Sequence, residues 1–276
     1  MIYLKKILIR FTQLLFILST TILLVALVLM STILDKKYIL SYLEKDNYYD
    51  KVYHDSLSTL EGYTIQVGLT GGDVEKILSK EKVEVDIKHF IDCIYENQEL
   101  KIDATYLTDN LEDLIHEKLK ENHREATNEE VVAIHDLKKQ VADSYEDKII
   151  YSKKYALKLR DGYYQFSCYQ NKILFLLFSL EFFLLAFLGL ISKTFACFFK
   201  ILGSSFLATF FFLFLGKVMI QPKIQHVVVF SRILSKLVIG MINSLFHLLF
   251  LSSMVIGIIG LILIIIGVYK SYLEKN

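Results

Sequence analysis

The uncharged stretch over residues 11–34 constrains the fold more strongly than any other feature of the sequence. It reads FTQLLFILSTTILLVALVLMSTIL and contains no Asp, Glu, Lys or Arg over 24 residues. A helix of that length rises by about 1.5 Å per residue and therefore covers a hydrocarbon core of about 30 Å. Lys5, Lys6 and Arg10 precede it like the basic region of a signal peptide. The stretch is too long for a cleaved signal and no small-residue cleavage site follows, so it predicts an uncleaved signal anchor.

Three further apolar stretches in the second half predict a membrane bundle, over about 173–192, 201–220 and 245–269. The whole chain is 54% apolar, above the soluble norm of about 45 to 50%. We therefore expect an all-α integral membrane protein with three parts. These are an N-terminal transmembrane helix (1–34), an extracytoplasmic α-helical domain (35–170) and a C-terminal membrane domain (171–276) of three transmembrane helices plus an interfacial amphipathic helix.

Charge is divided unevenly between these parts. Residues 35–170 hold 19 Lys and Arg against 28 Asp and Glu, a net charge of −9, and the remainder is basic. An acidic domain repels the phosphate backbone, which excludes nucleic acid as its partner. The expected partners are the lipid bilayer and a protein that binds residues 35–170. No cofactor is predicted, and the sequence does not indicate an oligomeric state.

The acidic domain has the apolar spacing of a small helical bundle. Residues at i, i+4, i+7 and i+8 are apolar in two stretches near 83–94 and 111–119, and a longer helix is indicated over 131–149. A first helix is expected from about Lys36 to Leu60. Asp109 with Glu112 and Thr127 with Glu130 have the spacing of capping boxes, and Gly68, Gly71 and Gly72 mark a turn that leads into a helix.

The segment 223–244, between the third and last predicted spans, is apolar except for one polar stripe. Gln225, Arg232, Lys236 and Asn243 follow one another at intervals of 7, 4 and 7, which places them on one side of a helix. Two basic residues at the centre of a bilayer are costly. We therefore expect a helix that lies in the membrane interface, with a fifth span as the alternative.

The distribution of lysine and arginine favours a cytoplasmic N-terminus. Lys5, Lys6, Arg10, Lys193, Lys200, Lys270 and Lys275 would then lie in short cytoplasmic segments. Lysines at both ends of the domain argue the opposite way, but long domains translocate largely regardless of charge. Both termini are thus expected inside and residues 35–170 outside. Lysine-rich, isoleucine-rich composition is typical of AT-rich coding, which indicates a bacterial plasma membrane protein.

Glu181 is the one acidic residue within a predicted span, and an acid at that depth is a candidate functional site. Residues at a similar depth could bond to it; these are Ser19, Thr20 and Thr21 in the first span, Thr209 in the third and Ser253 in the last. Two interpretations follow. A protonated Glu181 could join helices by hydrogen bonds, or it could belong to a proton or ion path.

No catalytic or metal motif emerges from the sequence. Glu112, His116 and His123 could share a helix face, but Lys120 stands where a zinc-protease histidine would be required, so a solvated face is the expected reading. Residues 68–73 lack the Gly-Lys-Ser/Thr of a phosphate loop, and no G-x-S-x-G occurs. The sequence therefore favours a protein that is not an enzyme.

Two functions fit this organisation. The first is a membrane protein whose outer domain binds a partner or ligand and passes that event to the spanning helices. The second rests on a resemblance, because one span, a large outer domain and three further spans resemble the layout of FtsX/MacB-type permeases. That resemblance implies a transport or mechanotransmission subunit that works with a separate ATPase. The short segment 192–200 leaves little room for a helix that docks such an ATPase.

Overall fold

A computed structural model describes residues 2–224 and 231–274 of the chain, and these residues form ten α-helices with no strand. The predicted all-α class is confirmed. The helices are α1 (Ile2–Met30), α2 (Lys36–Lys45), α3 (Tyr48–Thr64), α4 (Gly71–Ile77), α5 (Lys80–Tyr95), α6 (Thr105–Glu121), α7 (Asn128–Ile150), α8 (Lys153–Ile191), α9 (Phe195–Ile224) and α10 (Arg232–Leu273), with a short 3-10 helix at Ile65–Val67.

The helices group into two compact units. The described residues of the membrane unit are 2–35, 167–224 and 238–274, and those of the polar unit are 36–166 and 231–237. Two helices, α8 and α10, begin in the polar unit and continue without a break into the membrane unit.

Four helices, α1, α8, α9 and α10, are long and apolar enough to cross a membrane. The first predicted span differs in its limits, because α1 begins at Ile2 and ends at Met30. At its end, the hydroxyls of Ser31 and Thr32 bond to the carbonyl of Val28, at 3.1 and 2.6 Å.

Small residues at intervals of seven bring α9 and α10 together in the membrane unit. Ala196 and Gly203 on α9 face Gly267 and Gly260 on α10 in antiparallel order. Cβ atoms built at Gly203, Gly260 and Gly267 would lie between 2.5 and 2.9 Å from a carbonyl of the other helix. Small side chains permit this close approach of two backbones in a bilayer.

The polar unit closes around a core in which α3 packs against α2, α4, α5 and α7. Its deeply buried apolar side chains include Val52, Leu60, Val74, Leu78, Val83, Leu107, Leu111 and Val141. One polar pair lies within that core, since the Tyr145 hydroxyl donates to the buried Asp86 carboxylate at 2.8 Å. Lys82 contacts the same carboxylate at 2.9 Å, so the buried charge is paired.

Two local predictions for this domain are wrong. The single helix expected over residues 36–60 is broken at Asn47, whose φ of 52° is left-handed, a conformation that asparagine tolerates better than most residues. Asp109 does not cap a helix, because α6 already begins at Thr105, where the Asp103 carboxylate accepts the first amide at 3.0 Å.

Two other local predictions are confirmed. Thr127 and Glu130 form a reciprocal capping box at the start of α7. Gly68 adopts a left-handed φ of 78° in the turn before α4, whereas Gly71 and Gly72, predicted in the same turn, already belong to the first turn of α4.

The structure also differs from the predicted interfacial helix over residues 223–244. Lys223 belongs to the last turn of α9, and residues 232–244 are the first turns of the 42-residue helix α10. No proline or turn sequence interrupts residues 232–244, whereas Pro222 lies two residues before α9 ends. At about 1.5 Å per residue, α10 is about twice as long as a hydrocarbon core is thick, so one helix accommodates both residues 232–244 and the last span.

Candidate functional site

Of the predicted polar residues in the membrane, Glu181 and Ser19 come together. The Ser19 hydroxyl donates to the half-buried Glu181 carboxylate at 2.8 Å, which joins α8 to α1. The other hydroxyls bond within their own helices: Thr20 to Phe16, Thr21 to Ile17, Thr209 to Ser205 and Ser253 to Phe250. Thr20 also interacts with the Glu181 carboxylate, whereas the carbonyls of their own helix turns satisfy Thr21, Thr209 and Ser253.

A second interhelical bond at this level was not predicted. The Gln13 amide donates to the Ser204 hydroxyl at 2.9 Å and joins α1 to α9. Phe16, between the two bonds, packs against Leu184, Leu188 and Leu202 in an apolar cluster. The polar face of α1 thus holds α8 and α9, and its groups can position helices.

The predicted basic stripe is distributed over several environments. Gln225 lies outside the described residues. Arg232 and Lys236 are exposed in the first turns of α10, within the polar unit. Asn243 lies in the membrane unit, where its side-chain oxygen accepts from Gln221 at 3.3 Å. The three described residues of the stripe do not form a separate surface helix, because all three belong to α10.

A cavity of about 480 Å³ lies in the polar unit, and we refer to it as the α3–α7 cavity. Its volume is within the range of about 300–1,000 Å³ that small-molecule sites occupy. One wall comes from α3 and the other from α7, while two linker residues complete it. The lining residues are Tyr63, Gln140, Asp143, Ser144, Asp147, Lys148, Tyr151 and Ser231.

The charges around the α3–α7 cavity do not cancel. Lys148 is neutralised by Asp55, with 2.5 Å between the Nζ and Oδ2 atoms. The carboxylates of Asp143 and Asp147 are exposed, and among residues 2–224 and 231–274 they have no ion-pair or hydrogen-bond partner. These two residues are four apart on α7 and therefore share one helix face. The cavity wall is negative and can attract a cation.

Both linker residues of the α3–α7 cavity stand directly before a helix that enters the membrane unit. Tyr151 ends α7, with φ 59° and ψ −45°, two residues before α8 begins. Burial is the main cause that raises the pKa of Tyr48 well above its ordinary value, and the neighbouring Tyr151 hydroxyl raises it further. Ser231 accepts the amide of Leu234 at 3.1 Å and so caps α10. The cavity is thus built from the starting points of both long helices.

Comparison with protein-family models, curated proteins and solved structures found no match.

The remaining candidate metal residues do not assemble in the structure. Glu112 is paired with Lys138, and the Nε2 atom of His116 lies 3.8 Å from the other Glu112 oxygen. His123 lies beyond the end of α6, in a turn with φ 53°. Within residues 2–224 and 231–274, no group of three or more His, Cys, Asp or Glu side chains could hold a metal ion.

The sequence offered little indication of the α3–α7 cavity. Asp143 and Asp147 look like ordinary exposed residues of an amphipathic helix, and Ser231 lies 80 residues after Tyr151 in the chain. Among the described residues, Asp143 and Asp147 lack a neutralising lysine because Lys148 pairs instead with Asp55, which lies 93 residues earlier in the chain. The one available signal was the i, i+4 spacing of Asp143 and Asp147.

Proposed function

We propose that the protein is a non-enzymatic multi-pass protein of a bacterial plasma membrane, whose polar unit binds a ligand or partner outside the cytoplasm and transmits binding to its membrane helices. The continuity of α8 and α10 carries this proposal. Each helix starts at the α3–α7 cavity and runs unbroken into an apolar segment. A stiff helix passes on a displacement of its first turn, provided that the two ends belong to one bistable arrangement.

A further feature supports transmission through α8. Its apolar part carries Glu181, which bonds to Ser19 on α1, so movement of α8 would act directly on an interhelical contact. Buried polar contacts have a preferred geometry and therefore favour discrete arrangements. In this proposal, the Glu181–Ser19 bond is a structural joint.

The permease-like alternative has less support. The link between α8 and α9 consists of residues 192–194 only, which leaves no cytoplasmic helix on which an ATPase could dock. The resemblance in layout therefore remains an analogy of topology.

Closing the cavity without a ligand tests the proposal. In a chain with Cys93, Cys168 and Cys197 replaced by Ser, Tyr63→Cys and Asp143→Cys place one thiol on each wall of the cavity. A short bis-maleimide then joins α3 to α7. We expect amide hydrogen exchange to change in the apolar segments of α8 and α10. Unchanged exchange in both segments after complete cross-linking would reject transmission.

Gly162 supplies a matched pair of variants for the same measurement. A Cβ at this position in α8 would meet nothing within 4 Å. Gly162→Pro interrupts the helix, whereas Gly162→Ala strengthens it. We expect Gly162→Pro to remove the response in the apolar segment of α8 and Gly162→Ala to retain it. An equal response in both variants would exclude α8 as the transmitting element.

A further inference from the structure

We propose that the α3–α7 cavity binds a small organic cation, whose ammonium group is held by the carboxylates of Asp143 and Asp147. This inference rests on the proposed function, because it names the ligand class of the same cavity. It starts from the charge balance there: two carboxylates without partners and one lysine already paired with Asp55.

The geometry of the acidic pair suits an ammonium group. Residues four apart on a helix have Cβ atoms about 5–6 Å apart, so both carboxylates can reach one cationic centre. An ammonium group donates three hydrogen bonds and has no acceptor, which matches a wall of carboxylate, amide and hydroxyl oxygens. Gln140 and Ser144, on the same stretch of α7, supply further oxygens.

Two aromatic residues favour an organic cation over a metal ion. Tyr63 and Tyr151 line the α3–α7 cavity, and tyrosine rings attract cations over their faces while they contact alkyl groups. A cavity of about 480 Å³ is far larger than one hydrated ion requires. The described lining also lacks a third carboxylate that would complete a hard-metal site.

An anionic ligand fits the cavity poorly. The first turns of α8 and α10 carry partial positive charge, roughly half an elementary charge per helix end. One of the backbone amides there, that of Leu234, already donates a hydrogen bond to the Ser231 hydroxyl. The two full charges of Asp143 and Asp147 outweigh what remains, and Lys148 is held by Asp55.

Binding of spermidine to the full chain in lipid nanodiscs tests the inference. Calorimetric titration should detect saturable binding of spermidine and none of triethylene glycol, a neutral chain of similar length. The double variant Asp143→Asn/Asp147→Asn should weaken spermidine binding at least about tenfold, as expected when one charge-assisted hydrogen bond is lost. Both positions are exposed, so circular dichroism should show unchanged helix content.

A control variant removes the same net charge from the same helix. Glu129→Gln/Asp136→Asn changes two exposed acids of α7 that do not line the cavity. It should bind spermidine as the wild type does. Equal loss in both double variants would show only general electrostatic attraction and would overturn the inference. Failure of spermidine to bind, or tighter binding of Mg²⁺ with the same dependence on Asp143 and Asp147, would also overturn it. Since the cross-linking experiment needs no ligand, its outcome judges transmission separately.

Discussion

Gly203 and Gly260 face each other at the crossing of α9 and α10 with no room for a side chain between them. A Cβ on Gly203 would lie 2.5 Å from the Gly260 carbonyl oxygen, and a Cβ on Gly260 would lie 2.7 Å from that of Gly203. Both clashing atoms belong to the backbone and cannot turn away as a flexible side chain could. This crossing fixes the distance between α9 and α10 in the membrane unit.

Gly203→Ala should therefore destabilise the membrane unit. An added methyl group in a tightly packed contact costs about 1–3 kcal/mol, because the two helices must separate. Reversible unfolding by SDS from mixed micelles would measure the loss. Gly216→Ala is the matched control on the same helix, because a Cβ there would meet nothing within 4 Å. A loss of stability as large for Gly216→Ala as for Gly203→Ala would contradict the assigned crossing.

The Glu181–Ser19 bond predicts that residue 181 needs a hydrogen-bond acceptor but not a titratable proton. Gln keeps an acceptor for the Ser19 hydroxyl without a titratable proton, whereas Leu removes the bond. We expect Glu181→Gln to be close to the wild type and Glu181→Leu to lose about 1 kcal/mol in the free energy of unfolding. Ser19→Ala should add little to Glu181→Leu, because the bond is already absent. Additive losses in that double-mutant cycle would show that the two side chains do not interact.

Sequence periodicity predicts well those features of this architecture that depend on a single helix. The four spans and the Thr127–Glu130 capping box depend on residues that are near one another in the chain. Features that depend on residues far apart in the chain were not predicted. Gly203 meets Gly260 only because α9 and α10 run antiparallel, and the α3–α7 cavity depends on Ser231 reaching the end of α7. Glu181 was an exception, since an acid at that depth requires a partner among few candidates.

The hydrogen bond between Tyr145 and Asp86 predicts that removal of the Tyr145 hydroxyl lowers the stability of the polar unit. Tyr145→Phe keeps the ring and leaves Asp86 with Lys82 as its partner. The expected loss is about 1.5–3 kcal/mol in the free energy of unfolding, the cost of a buried hydrogen bond to a charged group. Tyr53→Phe provides a comparison, because that ring is only partly buried. Chemical denaturation would reject the assignment if Tyr145→Phe were as stable as Tyr53→Phe.

Asp73 gives the polar unit an acid-sensitive helix start. Its carboxylate accepts the backbone amide of Thr70 at 3.0 Å and the Thr70 hydroxyl at 2.8 Å. These hydrogen bonds, the backbone one foremost, hold its pKa below the ordinary value of 3.8. The contribution of Asp73 to stability is therefore complete above that ordinary value and is lost as the pH falls through the lowered one.

Asp73→Asn should accordingly reduce stability near neutral pH, and its difference from the wild type should begin to narrow only once the pH falls below 3.8. Thermal unfolding at neutral pH and at several pH values below 3.8 would measure the difference. Asp136→Asn, an exposed position within α7, should show no such convergence. A difference between Asp73→Asn and the wild type that stays constant with pH would disprove the capping role.

The unbroken course of α10 predicts the location of both chain ends. If residues 232–244 formed a fifth span, the helix would have to end and reverse near residue 244, but α10 is continuous from Arg232 to Leu273. A separate span would also place Arg232 and Lys236 at mid-depth, at a cost of about 5–7 kcal/mol on insertion scales. Four crossings would bring both termini to the same side. We therefore expect reporter fusions at both termini to be active in the cytoplasm.

A third reporter inserted in the loop after His123, where α6 has ended, should be active only outside. Termini in opposite compartments would refute the four-span topology, whereas a loop reporter active in the cytoplasm would place the polar unit inside and invert the proposed orientation.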